Sequence, residues 1–382
     1  MIGVCIKFFH ENYGGMLQAY ATVSLLEELG FDYELIRYQK KRTTVEKIRS
    51  LPRLLNAVLL NDKYEALIKK VGEKMHPDFA EKNAQRIKAF QRFNQTHFTR
   101  LSPVFVGYAD LCQGANRYTS VISGSDQLWS PAGLPTNYYN LMFVPEDVHK
   151  VSFASSFGVS TIPWYQRRRT KEYLDRIPQI SMRENRGAEI VQELTGRSVP
   201  VLMDPVFSFD KEQWEKLIPP EASEYGKYIF CYFLGDNLQH RAAARELAEK
   251  TGLKIVTLRH LDRYVAEDET FGDYAPYDVS PDKFLNLLRN AEYVLTDSFH
   301  GTAFSIIHEK QFLVFNRYNS ASSNSKNSRI DSLCANLGLE DRRYVSGCDV
   351  DREIDYTRVN RTLREYREKT VRFLREALDN RE

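Results

Sequence analysis

The segment Thr296-Asp297-Ser298-Phe299-His300-Gly301-Thr302 sets an acid, a hydroxyl, an imidazole and a glycine at the start of a helical stretch running to His308. A hydroxyl and backbone N–H groups at a helix start can cradle an anion, and an imidazole beside them can neutralise it or move a proton. A lone histidine is more often a satisfied structural residue, but His300 has this company and is read as functional.

Further polar clusters follow strand-like runs. Asn12-Tyr13-Gly14-Gly15, with Gln18 one helical turn on, is either a tight turn or a place where backbone amides meet an anion. Gly124-Ser125-Asp126-Gln127-Leu128-Trp129 suits a sugar, with Asp126 and Gln127 pairing its hydroxyls and the indole covering its C–H face. In the plainer reading Asp126 caps a helix and Trp129 is core. Ser155-Ser156-Phe157-Gly158 offers two hydroxyls, and Arg183-Glu184 offers a guanidinium able to hold a carboxylate or phosphate through two hydrogen bonds, unless an acid neighbour occupies it. Asp204-Pro205 supplies either a cleft acid or a turn cap. His260 beside Arg259 follows another such run, whereas His76, His97, His149 and His240 stand in polar contexts expected at the surface.

Such clusters need elements to hold them. Strand-like runs are expected at Ile2 to Phe9, Tyr33 to Tyr38, Thr119 to Ser123, Lys150 to Ala154, Gln179 to Met182 and Pro200 to Met203. A second series runs through Tyr228 to Phe233, Lys254 to Leu258, Glu292 to Thr296 and Phe312 to Phe315. Alternation with amphipathic stretches marks an α/β chain with parallel sheets, and its 382 residues exceed one ordinary domain. We expect an N-terminal α/β domain over 1–204, a proline-containing linker over 205–226, a C-terminal α/β domain over 227–350, and a helix over 351–382 packing back on the first domain. In parallel sheets ligands bind beyond the carboxyl ends of the strands, which is where the polar clusters lie.

The formal charge of +2 and the absence of a basic stretch with interleaved aromatics argue against a nucleic-acid partner. Residues 40–100 nevertheless hold 15 Lys/Arg against 6 Asp/Glu, so this helical insertion is +9 and the remainder −7. Its segment Leu51 to Leu60, followed by Lys63, Lys69 and Lys70, can either rest on the anionic inner face of the cell membrane or form a solvated cap. The five scattered cysteines make no Cys-x-x-Cys pair, and no His/Asp/Glu spacing suggests a metal, so neither a metal nor an obligatory cofactor is expected. With no signal-peptide pattern and no apolar run near the roughly 20 residues a bilayer requires, the expected location is the cytosol. Walker-type and G-x-G-x-x-G loops are absent.

In order, Asn12-Tyr13-Gly14-Gly15-Met16-Leu17-Gln18-Ala19-Tyr20, Gly124 to Trp129, Ser181-Met182-Arg183-Glu184, Asp204-Pro205 and Ser298-Phe299-His300-Gly301 resemble the motifs of polysaccharide pyruvyl transferases. The resemblance implies two facing Rossmann-like domains of GT-B-like fold with an interdomain cleft. It also implies phosphoenolpyruvate as donor and a sugar or lipid-linked oligosaccharide as acceptor, with a cyclic pyruvate ketal and phosphate as products. On that reading His300 and Asp126 are catalytic; Arg183, Ser298, Phe299, His300, Gly301, Thr302 and Arg329 bind the donor. Asn12, Tyr13, Gly14, Gln18, Ser125, Gln127, Trp129 and Ser155 line the acceptor side. Many family members carry Arg-Leu-His where this chain has Ser298-Phe299-His300, so Arg329, Arg317, Arg259 or Lys326 must supply the missing cation. Two other readings are a GT-B glycosyltransferase using a nucleotide sugar and a non-catalytic glycan-binding subunit.

Overall fold

The computed structural model describes residues 1–41, 71–72, 74–131, 133, 136–317 and 328–379. The segment Leu51 to Leu60, Lys63, Lys69, Lys70 and Lys326 lie outside the described residues.

Two parallel sheets carry the chain. The first joins β1 (Ile2–Cys5), β2 (Tyr33–Gln39), β3 (Leu101–Val106), β4 (Ser120–Ser123), β5 (His149–Ser155) and β6 (Gln179–Met182) in the order β3-β2-β1-β4-β5-β6. The second joins β7 (Tyr228–Tyr232), β8 (Lys254–Thr257), β9 (Tyr293–Thr296) and β10 (Gln311–Val314) in the order β10-β9-β7-β8. Central strands such as Ile-Gly-Val-Cys and Tyr-Ile-Phe-Cys-Tyr are buried at every position, as expected of parallel strands covered on both faces. Strand order reverses between β1 and β4 in the first sheet and between β7 and β9 in the second, and such switch points open a crevice for ligand.

Helices fill the connections. They are α1 (Tyr13–Glu28), α2 (Pro77–His97), α3 (Tyr108–Gly114), α4 (Trp164–Arg176), α5 (Asn185–Thr195) and α6 (Lys211–Glu215), then α7 (Leu238–Thr251), α8 (Pro281–Asn290), α9 (Phe299–Ile307), α10 (Ser328–Leu337) and α11 (Tyr356–Asp379). Helix α1 is apolar on nearly every side because it is enclosed, with the turn Pro205–Ser208 on one side and α8 and α9 of the other half on another. Tyr13 pins this junction. Its ring stacks on Phe284 at 4.7 Å, and its hydroxyl donates to the Val279 carbonyl at 2.9 Å. One core cluster accordingly runs through both halves.

The C-terminal helix α11 returns to the first half. Arg367 donates to the carbonyls of Phe207 and Phe209, and the Ala377 carbonyl meets His149 Nε2 at 3.0 Å.

Four local expectations change. The run Pro200 to Met203 forms only a bridge between Val201 and Met182. The first strand ends at Cys5, so Lys7 to His10 belong to a strand-end loop. β3 was not anticipated, because Pro103 interrupts it; as an edge strand it needs only one line of ladder donors. His240, expected at the surface, is buried beside Phe233 and Phe315.

Candidate functional site

Both switch points contribute to one site. Helices α1 and α9 begin just beyond β1 and β9, and they begin alike. Asn12 caps α1 by accepting from the Gly15 amide at 2.8 Å, and Ser298 caps α9 by accepting from the Gly301 amide at 3.3 Å. Each cap satisfies the third amide of its helix and leaves the first two pointing outward: Tyr13 and Gly14 in one, Phe299 and His300 in the other. The two N-termini meet where the His300 ring rests on Gly14, a contact that only a residue without a side chain permits.

Charged groups surround this contact. Arg183, at the end of β6, donates Nη1 to Asp204 Oδ2 at 2.7 Å, and its guanidinium lies 5.0 Å from the Phe299 ring. Arg329, near the start of α10, lies 5.8 Å from the same ring. Asp204 is a hub: Oδ1 accepts from the Val206 amide, while Oδ2 accepts from Ser125 Oγ at 3.3 Å and stands 3.6 Å from His300 Nε2. It therefore plays both parts foreseen for it, turn cap and cleft acid. Asp126 sits 3.9 Å from Arg183 Nη1, held at φ +74° by a bridge to Ser155. An aspartate tolerates this left-handed backbone better than most side chains.

The electrostatics sort these groups by role. Burial pushes the Asp126 carboxyl up, but Arg183, Lys7, His300 and Arg329 outweigh it and hold the group well below the usual carboxylate range. Burial likewise opposes ionisation of Asp204, yet His300 and Arg183 bring its pKa down to about 2. Both carboxylates are thus hydrogen-bond acceptors at neutral pH. Arg329 is the reverse case: burial and then repulsion from Arg183 lower its pKa to about 10, with Asp126 and Glu184 offsetting them only in part. Among the described residues, buried Arg183 Nε and Nη2, Arg329 Nε and His300 Nε2 have no hydrogen-bond partner. Several unpaired donors on two guanidiniums and an imidazole, together with two open helix N-termini, suit an oxygen-rich anion.

Not every sequence candidate reaches this pocket. Trp129 is core: its N–H donates to the Tyr139 carbonyl at 3.0 Å and its ring lies against Phe157 and Tyr173, so no indole face is available to a sugar. Tyr13 is spent on the junction with Val279 and Phe284. Gln18 is buried in α1, donating to Thr22, and Thr302 Oγ1 donates back to the Ser298 carbonyl. Ser155 bonds the Gly124 carbonyl beneath the site, and the Gln127 amide lies over Gly158. Gly301 lets α9 start against Thr296, whose Oγ1 would be 2.4 Å from an added Cβ. Of the other cations proposed, Arg259 pairs with Glu269 at 2.9 Å and Arg317 stands 3.8 Å from Asp297. Asp297 itself is structural, accepting from the Leu234 and Gly235 amides. His260 is held by Asp268 at 2.7 Å, which Arg241 anchors in turn.

The sequence reading missed Lys7 and His10, having placed them inside or at the end of a strand. They line a cavity of about 540 Å³ with Phe9, Arg37, Tyr38 and Tyr139. Three of its wall residues, Lys7, His10 and Tyr139, are near enough to Asp126 to exchange electrostatic influence with it. Glu184, which accepts from Ser156 Oγ at 2.8 Å and lies 3.7 Å from Arg183, was read only as a competitor for the arginine. Among the described residues no three His, Cys, Asp or Glu side chains gather as a metal site requires.

The sequence model of polysaccharide pyruvyl transferases matches residues 12–319, most of the chain. The chain belongs to the polysaccharide pyruvyl transferase family. The stretch matched begins after β1 and holds both N-caps, the second sheet's switch point, Arg183, Asp204 and His300. No curated protein matches it. Among solved structures it is similar to a UDP-N-acetylglucosamine 2-epimerase, with TM-score 0.52 and 12% identity over 100% of this chain and 96% of that one. UDP-GlcNAc 2-epimerase from Neisseria meningitidis gives TM-score 0.46 and 11% identity over 97% and 93%. E. coli ADP-heptose LPS heptosyltransferase II gives 0.36 and 9% over 96% and 98%. At such identities the likeness is one of fold, here GT-B-like, and the chemistry of this pyruvyl transferase family member rests on its own site.

Proposed function

We propose that the chain moves pyruvate from phosphoenolpyruvate onto two hydroxyls of one sugar in cell-surface polysaccharide biosynthesis, releasing phosphate and needing no further cofactor. The observation that carries this is the His300 imidazole lodged between two helix N-termini, with the guanidiniums of Arg183 and Arg329 at 5.0 and 5.8 Å from the neighbouring Phe299 ring. Phosphoenolpyruvate bears a carboxylate and a phosphate ester on the same carbon, and the paired guanidiniums and helix ends offer two anion sockets. Arg329 takes the place of the guanidinium that Ser298 lacks.

In the reaction His300 gives a proton to the methylene carbon, converting it to a methyl and leaving the central carbon electron-poor. One sugar hydroxyl adds there and passes its proton to the now neutral His300. The bond between the central carbon and the phosphate oxygen breaks, and a second hydroxyl closes the ketal ring, its proton leaving on the departing phosphate. Asp126, always ionised, orients the acceptor hydroxyls as a hydrogen-bond acceptor. The nearby cavity, with Tyr38, Tyr139 and Phe9 in its walls, has a volume suited to a small glycan.

The test is incubation with phosphoenolpyruvate and a panel of lipid-linked or synthetic glycosides, reading phosphate release and a ketal product by mass spectrometry. The His300→Ala variant, correctly folded, should lose phosphate release. Near-normal turnover by that variant would sink the assignment of His300. Release of a nucleoside diphosphate from a nucleotide sugar would overturn the donor and favour glycosyl transfer.

A further inference from the structure

Helix α4 opens on Trp164-Tyr165 and continues with Gln166-Arg167-Arg168-Arg169. Trp164 is 85% exposed and Tyr165 57%, and the two rings meet edge to face at 5.8 Å. Single exposed apolar residues are ordinary, but an indole this bare beside a second amphipathic ring and three arginines is not. The charges are also largely uncompensated. Arg167 reaches only a distant Glu193 at 3.9 Å and Lys171 is taken by Asp175, while Arg168 and Arg169 make no ion pair among the described residues.

Tryptophan and tyrosine at the surface with arginines behind them match a bilayer interface, where the rings enter the headgroup layer and the guanidiniums meet lipid phosphates. We propose that this end of α4 docks the protein on an anionic lipid membrane. Position supports it: α4 follows the carboxyl end of β5, so its first turn lies at the edge of the first sheet where the site opens. Phe9, 59% exposed in the loop that follows β1 and part of the 540 Å³ cavity, lies beyond the carboxyl end of that sheet as well. A lipid-linked sugar held in the bilayer would be presented to the edge that carries Asp126. Docking itself is independent of the donor chemistry proposed above.

The protein contains its own probe. Of its three tryptophans, Trp129 and Trp214 are buried, so a change in indole environment on docking reports Trp164. Full-length protein is mixed with vesicles of phosphatidylcholine alone or with about one-third phosphatidylglycerol, and emission, quenching by brominated lipid and co-sedimentation are read. The anionic vesicles should shift the emission to the blue and sediment the protein, and neutral ones should do so weakly. Trp164→Ser with Tyr165→Ser should abolish sedimentation, and Arg168→Glu with Arg169→Glu should weaken it at least about tenfold. Both variants should keep normal turnover of a water-soluble acceptor, which separates loss of docking from failure of the catalytic reading. No blue shift with anionic vesicles, or sedimentation unchanged in both variants, overturns the proposal; the first result would leave the patch to a protein partner and the second would move docking to another surface.

Discussion

The His300 imidazole lies directly on the backbone of Gly14: a Cβ at Gly14 would fall 2.0 Å from Nδ1, 2.2 Å from Cγ and 2.7 Å from the histidine Cβ. Since even the base of the side chain is involved, His300 cannot clear an added methyl by turning its ring. Gly14→Ala should therefore displace His300 or part the two helix ends. We expect turnover to fall by at least about a hundredfold, as misplacement of a catalytic group by about 1 Å does, with a stability loss of about 1–3 kcal/mol. Phosphate release and thermal unfolding of the variant check this. Wild-type turnover in Gly14→Ala would show that the ring's seat on α1 is dispensable.

Burial, then repulsion from Arg183, lowers the pKa of Arg329 to about 10. An anion between the two guanidiniums removes that penalty. Phosphoenolpyruvate at about 100 times its Kd should raise the unfolding free energy by about 2.7 kcal/mol. Arg329→Met should cost the free protein little or even stabilise it, yet abolish the ligand-induced rise in Tm and raise the donor KM. Scanning fluorimetry with and without phosphoenolpyruvate distinguishes this from a structural role, in which the variant would lose stability in the free state.

Asp204 offers the opposite sign. Its fully buried carboxylate neutralises Arg183 and faces His300. Asp204→Asn strands a buried guanidinium and should destabilise the fold by about 3–5 kcal/mol, measured by urea unfolding at neutral pH. A loss below about 1 kcal/mol would mean that Glu184 and Asp126, at 3.7 and 3.9 Å from Arg183, already suffice.

Much of this arrangement could be read from residue order, because parallel strands announce themselves as short apolar runs and their carboxyl ends as polar breaks. Asp126, Arg183, Asp204 and His300 all follow such runs, and the structure brings them together. What failed was any inference that depended on which way a side chain turns. Trp129 close to Asp126 and Gln127 suggested a sugar platform, but two residues beyond Gln127 the chain has carried the indole from the cleft into the core. Tyr13 was claimed for the cleft and serves the junction between the two halves, a contact with residues some 270 positions away that no local pattern encodes. Lys7 and His10 were hidden by the opposite error: the apolar run continued through Phe8 and Phe9 after the strand had ended at Cys5.

The far end of α9 makes the last prediction. His308 closes the helix that begins at Phe299, and both its ring nitrogens are buried without a hydrogen-bond partner among the described residues. Burial, then the nearby Lys211, Arg289 and Lys310, bring its pKa down to about 3 from the ordinary 6.5. The native protein therefore keeps His308 neutral at pH values where the unfolded chain binds a proton. Its contribution is complete above pH 6.5 and is lost as pH falls from there toward 3, at up to about 1.4 kcal/mol per pH unit. Asp204, with its pKa lowered to about 2, loses its contribution only below its ordinary value of 3.8, so the two windows barely overlap. Urea unfolding at intervals between pH 7 and 4 should show the decline, and His308→Leu should flatten it by close to one proton while leaving the steeper loss below pH 4 in place. Parallel curves for the variant and the parent would remove His308 as the source of acid sensitivity and leave it to the other histidines whose pKa burial lowers, His10, His97 and His240.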